Sequence, residues 1–257
     1  MRPALVILYM TIYFSGGITM KIEVRENSKE LGKAAAARCA AIINRNIGEK
    51  GSARIAVSTG ASQFDLLDAL VKENVDWSKV EMFHLDEYFG LPESHPASFR
   101  KYLKERFVSK VSLLAANFVE GTAENIIDIS GKLLEKPVDL GLIGIGENAH
   151  IAFNDPPADF DVKDPYILVR LNDTCKQQQV REGWFMTVDD VPKEAVSMTV
   201  HQIMQCKKII SCVPHAVKAK AVADTLNGDI SNMIPATILK THTDWTLLLD
   251  KNSAALF

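Results

Sequence analysis

Two short stretches of the sequence combine residue types that can move protons. Asp86 and Glu87 follow an apolar run, and the five residues after them, Tyr-Phe-Gly-Leu-Pro, are mostly apolar. A carboxylate in such surroundings is partly desolvated, which raises its pKa and suits it to act as a base. Farther along the chain, His150 precedes Asp155 by five residues. A carboxylate partner can orient an imidazole and stabilise its charged form.

Both stretches also have a purely structural interpretation. An acidic pair in a loop is usually solvated, and a single histidine is more often structural than catalytic. The other histidines of the chain are interpreted as structural or surface residues, namely His84, His95, His201, His215 and His242.

A third stretch is suited to bind an anion. Small and hydroxyl-bearing residues stand between a predicted strand and a predicted helix, where backbone N–H groups can approach an anion; they are Ser58, Thr59, Gly60, Ala61 and Ser62. Lys218, near the start of a later helix, could add a positive point charge. The alternative is a plain turn with Ser62 as the N-cap. The G-K-[ST] ending of a Walker loop is absent, and Gly144-Ile-Gly146 lacks the third glycine of a dinucleotide fingerprint.

The elements that must position these residues follow from the hydrophobic pattern. Apolar, β-rich runs predict strands at 21–24, 54–57, 80–85, 138–143, 208–213 and 246–249, with weaker patterns at 166–171 and 195–199. Helices are predicted at 28–46, 98–108, 125–134 and 214–226, and after residue 63 up to about 72. This alternation indicates a single α/β domain with an open, mostly parallel, doubly wound (Rossmann-like) sheet and helices on both faces. Residues 155–195 are the least regular and could form a flap.

The predicted fold brings the polar stretches together. In parallel α/β sheets, ligands bind beyond the carboxyl ends of the strands. Four polar segments directly follow predicted strands, at 58–63, 86–88, 144–155 and 214–218. We therefore expect one site at this edge of the sheet.

Composition restricts the class of protein. The 257 residues are 47% hydrophobic and 24% charged, and the net charge of −3 (29 − 32) argues against a nucleic-acid-binding protein. The four cysteines form no C-x-x-C pair and lie at no zinc-finger spacing, which indicates reduced, mostly buried thiols in a cytoplasmic protein. The apolar run at 4–14 is too short to span a bilayer, so no membrane association is expected.

That apolar run also resembles the start of a signal peptide. However, Met20 begins a polar–apolar alternation typical of a first strand. We favour residues 1–19 as an N-terminal extension, arising from a start placed upstream of Met20, and residues 20–257 as the functional domain.

Two long motifs resemble those of the glucosamine-6-phosphate deaminase (isomerase) family, whose superfamily includes the 6-phosphogluconolactonases. Phe83-His-Leu-Asp-Glu-Tyr-Phe-Gly-Leu-Pro92 is similar to the family's segment around its proton-transferring aspartate. Gly144-Ile-Gly-Glu-Asn-Ala-His-Ile-Ala-Phe-Asn-Asp-Pro156 resembles its G-x-G-x-D-G-H-I-A-F-N-E-P segment. Ser58–Ser62 is similar to its phosphate loop, and Val213–Ala219 to the stretch with its phosphate lysine. The likeness runs in order along almost the whole chain.

The resemblance implies a reaction on a small-molecule hexosamine 6-phosphate, such as glucosamine 6-phosphate. The sugar ring opens, the sugar isomerises and ammonia leaves, giving fructose 6-phosphate in amino-sugar catabolism. No metal or organic cofactor is implied. Asp86 would shuttle a proton between C2 and C1, His150 would assist ring opening, and Asp155 would hold His150. The phosphate would be bound by the residues 58–62 and Lys218, with Glu87 and Glu147 in supporting positions.

The sequence departs from the family pattern at three places. Asn148 stands where the family has aspartate, which predicts slower ring opening and a faster enzyme when aspartate is restored. Ala149 stands where the family has glycine, a residue that adopts positive φ readily. The family's phosphate arginine has no clean match, and either Lys176 or Arg181 could serve.

Two other functions compete with the deaminase. A lactonase would use His150 to activate water, but that family usually has an arginine soon after the acidic pair, where this chain has Tyr88. A non-catalytic sugar-phosphate sensor usually carries a DNA-binding domain, and only about 20 residues precede this domain. The sequence decides neither between glucosamine and galactosamine phosphate nor the oligomeric state, and it allows a homo-oligomer.

Overall fold

The computed structural model describes residues 6–13 and 19–257. Its strands are β1 (Val6–Tyr13), β2 (Thr19–Arg25), β3 (Ala53–Val57), β4 (Val80–His84), β5 (Asp86–Tyr88), β6 (Ala115–Asn117), β7 (Leu140–Leu142), β8 (Tyr166–Arg170), β9 (Glu194–Met198), β10 (Ile209–Val213) and β11 (Asp244–Asp250). Its α-helices are α1 (Ser28–Lys50), α2 (Phe64–Leu70), α3 (Phe99–Arg106), α4 (Ala123–Leu134), α5 (Asp173–Arg181), α6 (Val200–Met204) and α7 (Ala219–Asn227). None of the helices in these residues is long and apolar enough to cross a membrane.

The main sheet has eight strands in the order β1-β2-β11-β10-β7-β3-β4-β6. Every neighbouring pair is parallel except β1 and β2, which are antiparallel. The predicted α/β class, with a mostly parallel doubly wound sheet in a single domain, is confirmed.

Two apolar layers cover the faces of this sheet. In β11, Trp245, Leu247 and Leu249 pack into one layer, which also includes apolar residues of α4 and α7. Leu248 packs into the other layer, with apolar residues of α1 and α2. Because successive side chains of a strand point to opposite faces, a strand that is buried on both faces must be apolar throughout. This explains why the central strands were recognisable as continuous apolar runs.

A second, smaller sheet stands beside the main one. Its three strands are antiparallel, in the order β5-β9-β8. The weak strand patterns at 166–171 and 195–199 do form strands, but in this sheet rather than in the parallel one. The segment 86–88, expected to be a loop, is strand β5, and the segment 155–195, considered as a flap, contains β8 and α5.

Several boundaries differ locally from the sequence-based prediction. Asn27 caps α1, and its side chain accepts a hydrogen bond from the Glu30 N–H (3.0 Å). Gly51 ends this helix in the left-handed conformation that glycine adopts without strain. Strand β6 was not predicted, because its three residues carry little β propensity.

The N-terminal extension proposed at 1–19 is only partly within the described residues. Val6–Tyr13 pairs with β2 as the edge strand β1 of the main sheet. Residues 1–5 and 14–18 lie outside the described part of the chain. The interpretation of residues 1–19 as an extension therefore stays a prediction.

Candidate active site

A cleft of about 210 Å³ lies beyond the carboxyl ends of the parallel strands. It is formed by the loops after β3, β7 and β10, by the start of β5 and by α5. The predicted site residues that line it are Ser58, Thr59, Gly60, Ala61, Ser62, Asp86, Glu147, His150 and Lys218. The structure therefore brings together residues from all four polar segments of the sequence.

Asp86 stands at the junction of the two sheets. Strand β4 ends at His84, and Leu85 leaves the parallel sheet with its carbonyl bonded to the Met198 N–H (2.8 Å). Asp86 then begins β5 and turns its side chain into the cleft. Burial raises the pKa of the Asp86 carboxyl to about 8, and the nearby charge of Glu87 adds to the shift. No described residue donates a hydrogen bond to this carboxylate, so it is available to a substrate.

Glu87 has a different role from its neighbour. Its fully buried carboxylate accepts hydrogen bonds from the Ser98 hydroxyl (2.8 Å), from the Arg100 backbone N–H (2.9 Å) and from the Arg100 guanidinium (3.2 Å). These donors lie at the first turn of α3, where a negative charge is stabilised by the helix N-terminus. Glu87 supports the site by anchoring α3 and does not line the cleft.

Two side chains contact the ring nitrogen Nδ1 of His150. Asn148 Oδ1 lies 2.6 Å from His150 Nδ1 and also accepts the His150 backbone N–H (3.2 Å). Asp155 Oδ1 lies 3.3 Å from the same ring nitrogen and accepts a hydrogen bond from Asn148 Nδ2 (3.0 Å). Burial alone would raise the pKa of Asp155, but the hydrogen bond and charge of His150 and the Asn148 amide outweigh it and lower that pKa.

This arrangement fixes which nitrogen of His150 carries a proton. An ionised carboxylate only accepts hydrogen bonds, so Asn148 must turn its amide N–H₂ toward Asp155. The amide oxygen of Asn148 then faces Nδ1, which must be the donor. Nε2 is left as a bare acceptor, the form that can take a proton.

The loop below the imidazole ring depends on a glycine. A Cβ atom at Gly146 would lie 2.1 Å from His150 Cε1, so the ring occupies the space that any side chain at 146 would need. Ala149, where the family has glycine, does adopt a positive φ of 63°. The loop thus keeps a left-handed residue although alanine pays a steric cost for it.

The loop after β3 has the features of an anion site. Its first turn begins with the hydrogen bond from Gln63 N to Gly60 O (3.0 Å), and the Ser58 N–H donates to the Leu142 carbonyl (3.0 Å). The N–H groups of residues 59–62 have no hydrogen-bond partner among the described residues and can donate to a ligand. The Tyr102 hydroxyl donates to the Gly60 carbonyl (2.8 Å), and the Gln63 amide donates to the Cys212 carbonyl (3.1 Å). The buried Ser58 hydroxyl has no hydrogen-bond partner among the described residues.

Lys218 is the cation that faces this loop across the cleft. It is only 7% exposed, and no ion pair joins its ammonium group to another described residue. Burial lowers the pKa of Lys218, while the carboxylates of Glu182 and Glu147 act in the opposite direction. A buried lysine without a fixed partner is suited to meet an anionic ligand.

Lys176 and Arg181, the two alternatives for the missing arginine, do not line the cleft. Arg181 lies at its rim, where its guanidinium pairs with Glu147 (2.9 Å). Lys176 lies elsewhere on α5, outside the cleft wall.

Several residues that line the cleft were not predicted from the sequence, and half of them lie on or just after α5. They are Phe99, Phe153, Gln178, Gln179, Glu182, Trp184, His215 and Val217. The glutamines gave no chemical signal, because only the tertiary position of α5 turns them inward. His215, interpreted from the sequence as a structural or surface residue, lines the cleft, and its backbone has a positive φ of 80°. By contrast, His84 is fully buried, and burial followed by the charge of Arg100 lowers its pKa to about 3.

Comparison with known proteins identifies the family of this chain. The family profile described as glucosamine-6-phosphate isomerases/6-phosphogluconolactonase matches residues 26–248. A glucosamine-6-phosphate deaminase of Clostridium acetobutylicum is 34% identical over 248 residues, which cover 92% of this chain and 100% of the relative. A glucosamine-6-phosphate deaminase of Lactobacillus delbrueckii subsp. bulgaricus is 32% identical over 241 residues, with coverages of 92% and 99%.

Solved structures show the same relationship. A monomeric glucosamine-6-phosphate deaminase matches with a TM-score of 0.83 and 29% identity, covering 92% of this chain and 99% of that protein. A 6-phosphogluconolactonase from Trypanosoma cruzi shares the fold, with a TM-score of 0.74 at 16% identity and coverages of 91% and 95%. The chain belongs to the glucosamine-6-phosphate isomerase/6-phosphogluconolactonase family.

Proposed function

We propose that this protein is a hexosamine-6-phosphate deaminase that converts glucosamine 6-phosphate, or a close hexosamine 6-phosphate, into fructose 6-phosphate and ammonia. The observation that carries the proposal is a buried carboxylate, Asp86, in the same cleft as His150 and Lys218. Such a cleft offers a base, a second proton acceptor and a cation for a phosphate. Relatives that share about a third of the sequence are named for this activity.

The phosphate would bind at the end of the cleft that contains the loop 58–62. Free backbone N–H groups, the Ser58 hydroxyl and the Lys218 ammonium are all hydrogen-bond donors suited to phosphate oxygens. These phosphate contacts would be the same in the ground state and the transition state, so they would contribute to substrate binding more than to the rate of the chemical step.

His150 would act first, on the closed ring. Its bare Nε2 accepts the proton of the C1 hydroxyl and returns it to the ring oxygen as the bond between C1 and that oxygen breaks, and Asp155 stabilises the imidazolium that forms in between. The amide of Asn148 keeps Nδ1 protonated throughout, so the ring nitrogen facing the cleft remains the one that exchanges a proton.

Asp86 would then move the proton that isomerises the sugar. Its carboxylate takes the proton from C2 of the open-chain aldehyde while the substrate ammonium group gives up one proton and the C1 oxygen gains one, which forms an enolamine. Asp86 then returns its proton to C1, which leaves a hydroxyl at C1 and an iminium group at C2. Water adds to this carbon and ammonia leaves, so that water supplies the new carbonyl oxygen and the overall reaction is a hydrolysis. A pKa of about 8 makes the Asp86 carboxylate a stronger base than an exposed aspartate.

The test is ammonia release from a panel of hexosamine 6-phosphates, with hydrolysis of 6-phosphogluconolactone measured beside it. We expect release from glucosamine 6-phosphate or an epimer, little turnover of the lactone and very little turnover of unphosphorylated glucosamine. Lactone hydrolysis without ammonia release would identify the protein as a lactonase. Binding of the sugar phosphates with neither reaction would indicate a sensor.

We further propose a role in the cytoplasm, in the catabolism of amino sugars such as N-acetylglucosamine. All four cysteines, Cys39, Cys175, Cys206 and Cys212, are buried and free, which suits a reducing compartment. A homo-oligomer stays an expectation that light scattering can measure, since the monomeric state named for the structural relative belongs to that protein.

A further inference from the structure

Gln179 stands out among the cleft residues that have no role in the proposed reaction. It is buried in the cleft wall on α5, and its Oε1 accepts a hydrogen bond of 2.7 Å from the hydroxyl of Tyr88. Tyr88 is itself fully buried, two residues after Asp86 in β5. Residues two apart in a strand point to the same face, so Gln179 reaches the end of the cleft where Asp86 lies.

The buried tyrosine fixes the orientation of the glutamine amide. Burial raises the pKa of Tyr88 well above its ordinary value, so its hydroxyl keeps its proton and needs an acceptor. Gln179 Oε1 is the acceptor that the described residues provide. The amide nitrogen, Nε2, therefore points away from Tyr88, and its two N–H groups have no hydrogen-bond partner among the described residues.

The neighbouring glutamine shows a different arrangement. Gln178 Nε2 donates to Glu182 Oε1 (2.7 Å), and Trp184 Nε1 donates to Glu182 Oε2 (3.0 Å). The amide nitrogen of Gln178 is therefore already used within the protein. Of the two adjacent glutamines, Gln179 is the one whose amide nitrogen makes no hydrogen bond to a described residue.

We propose that Gln179 is a substrate-binding residue whose amide N–H₂ donates to a sugar oxygen close to C1 and C2. This oxygen would lie at the reacting end of the cleft, the end with Asp86 and His150. The proposal rests on the deaminase function above and adds a specificity contact to it. A pair of oriented donors recognises a hydroxyl or carbonyl oxygen and disfavours a substrate that lacks one at that place.

The sharpest test replaces the donors without changing shape. Gln179→Glu keeps an oxygen for the Tyr88 hydroxyl but turns an acceptor toward the sugar oxygen. We expect kcat/KM for glucosamine 6-phosphate to fall by about 100-fold, because the variant has no N–H donor for the sugar oxygen and places a charged carboxylate in a desolvated cleft. Gln177→Glu is the matched control, since Gln177 is exposed on the same helix, lies outside the cleft and undergoes the same change of charge. Equal kcat/KM values for the two variants would overturn the proposal.

A neutral variant separates the two ends of the cleft. Gln179→Met removes the donors without adding charge, and we expect it to lower kcat/KM by about tenfold. The inhibition constant of inorganic phosphate should stay within about twofold of the wild-type value, because the variant leaves the loop 58–62 and Lys218 unchanged. A parallel loss of phosphate inhibition would place Gln179 at the anion end of the cleft, the end with the loop 58–62 and Lys218, and would contradict the assignment.

The orienting role of Tyr88 gives a second, independent measurement. Tyr88→Phe frees the amide to rotate, so it should lower kcat/KM in the wild-type background and have little further effect in Gln179→Met. Additive losses would show that the Tyr88 bond does not act through Gln179. The dissociation constant of glucosamine 6-phosphate, measured by calorimetry on the same variants, keeps the two proposals distinguishable. A wild type that binds the sugar but releases no ammonia refutes the deaminase, whereas unchanged binding and turnover in Gln179→Glu refute only the role of Gln179.

Discussion

The two ends of the cleft are built differently. At the reacting end, His150 is held by Asn148 and Asp155, and the loop below it includes Gly146 packed against the ring. At the anion end, backbone N–H groups of the loop 58–62 and the ammonium group of Lys218, which has no ion-pair partner in the described part of the chain, face the cleft. At the reacting end, the positions of the protons are fixed before a ligand binds. At the anion end, the hydrogen-bond donors are available to the ligand.

This difference separates two kinds of contribution. In the proposed reaction, the fixed hydrogen bonds at the reacting end would prepare groups whose interactions change during the reaction, and these would affect kcat. Donors at the anion end would bind a phosphate that does not react, and these would affect KM. Substitutions at the two ends should therefore give opposite kinetic signatures.

The largest effect is expected for Asp86→Asn. The amide has the shape of the carboxylate but cannot take a proton from C2, so kcat should fall by about 1,000-fold. Inhibition by inorganic phosphate should remain near the wild-type value, because Asp86 does not belong to the anion end. A variant that keeps more than about a tenth of the wild-type kcat would remove Asp86 from the role of base.

The pH dependence should identify the same carboxyl. Its pKa is raised to about 8, so the base is protonated and inactive at lower pH, and kcat/KM should rise as the pH increases through about 8. The amine and phosphate of the substrate also titrate, but equally for every variant. Comparison of the pH profiles of the wild type and Asp86→Glu therefore assigns the rise in kcat/KM. If the midpoint of the rise shifts in the variant, the rise reports the carboxyl of residue 86. If the midpoint stays in place, the rise reports a group of the substrate.

Lys218→Ala should show the opposite signature at the anion end. Loss of the ammonium group removes a charge-assisted contact that is equal in ground and transition states, so KM should rise by about 30-fold while kcat changes little. Lys220→Ala, an exposed lysine on α7 paired with Asp224, is the control and should leave both constants unchanged. A drop in kcat with constant KM would place Lys218 in the chemistry.

The smallest effect is expected for Asn148→Asp, which sequence analysis predicted to accelerate the enzyme. The structure changes the expectation, because Asp155 already lies 3.3 Å from His150 Nδ1 and accepts from Asn148 Nδ2. Two carboxylates about 3.0 Å apart raise each other's pKa, which opposes the second negative charge, so the substitution adds less than a full charge beside the imidazole. Pre-steady-state ammonia release should change by less than about fivefold. A much larger acceleration would mean that Asp155 does not supply the charge.

The sequence predicted the parallel sheet and the edge where the cleft lies, since both follow from local apolar patterns and from the geometry of βαβ units. It did not predict that β5 forms by pairing with β9, about a hundred residues away, because short polar strands are stabilised by their partners rather than by propensity. For the same reason, the separate roles of Asp86 and Glu87 were invisible in a two-residue acidic pair. Alternation along β5 sends one carboxylate into the cleft and the other to the N-terminus of α3.

The polar helix α5 shows a second limit of sequence patterns. Its lysine and arginine were natural candidates for a phosphate contact because of their charge. Instead, the helix turns Gln178 and Gln179 toward the cleft and leaves Arg181 at the rim. The rotation of a polar helix is set by the surfaces it packs against, and a sequence without an apolar stripe does not reveal it.

The raised pKa of Asp86 has a consequence for binding that precedes catalysis. At neutral pH this carboxyl carries a proton in most molecules, whereas a substrate ammonium group beside it would favour the ionised form. Binding would then release up to about one proton to the solution at pH 7 and progressively less as the pH passes 8. The heat of binding should therefore depend on the ionisation enthalpy of the buffer. Calorimetry in two buffers would count that proton and detect the base in a complex in which no bond has yet been broken.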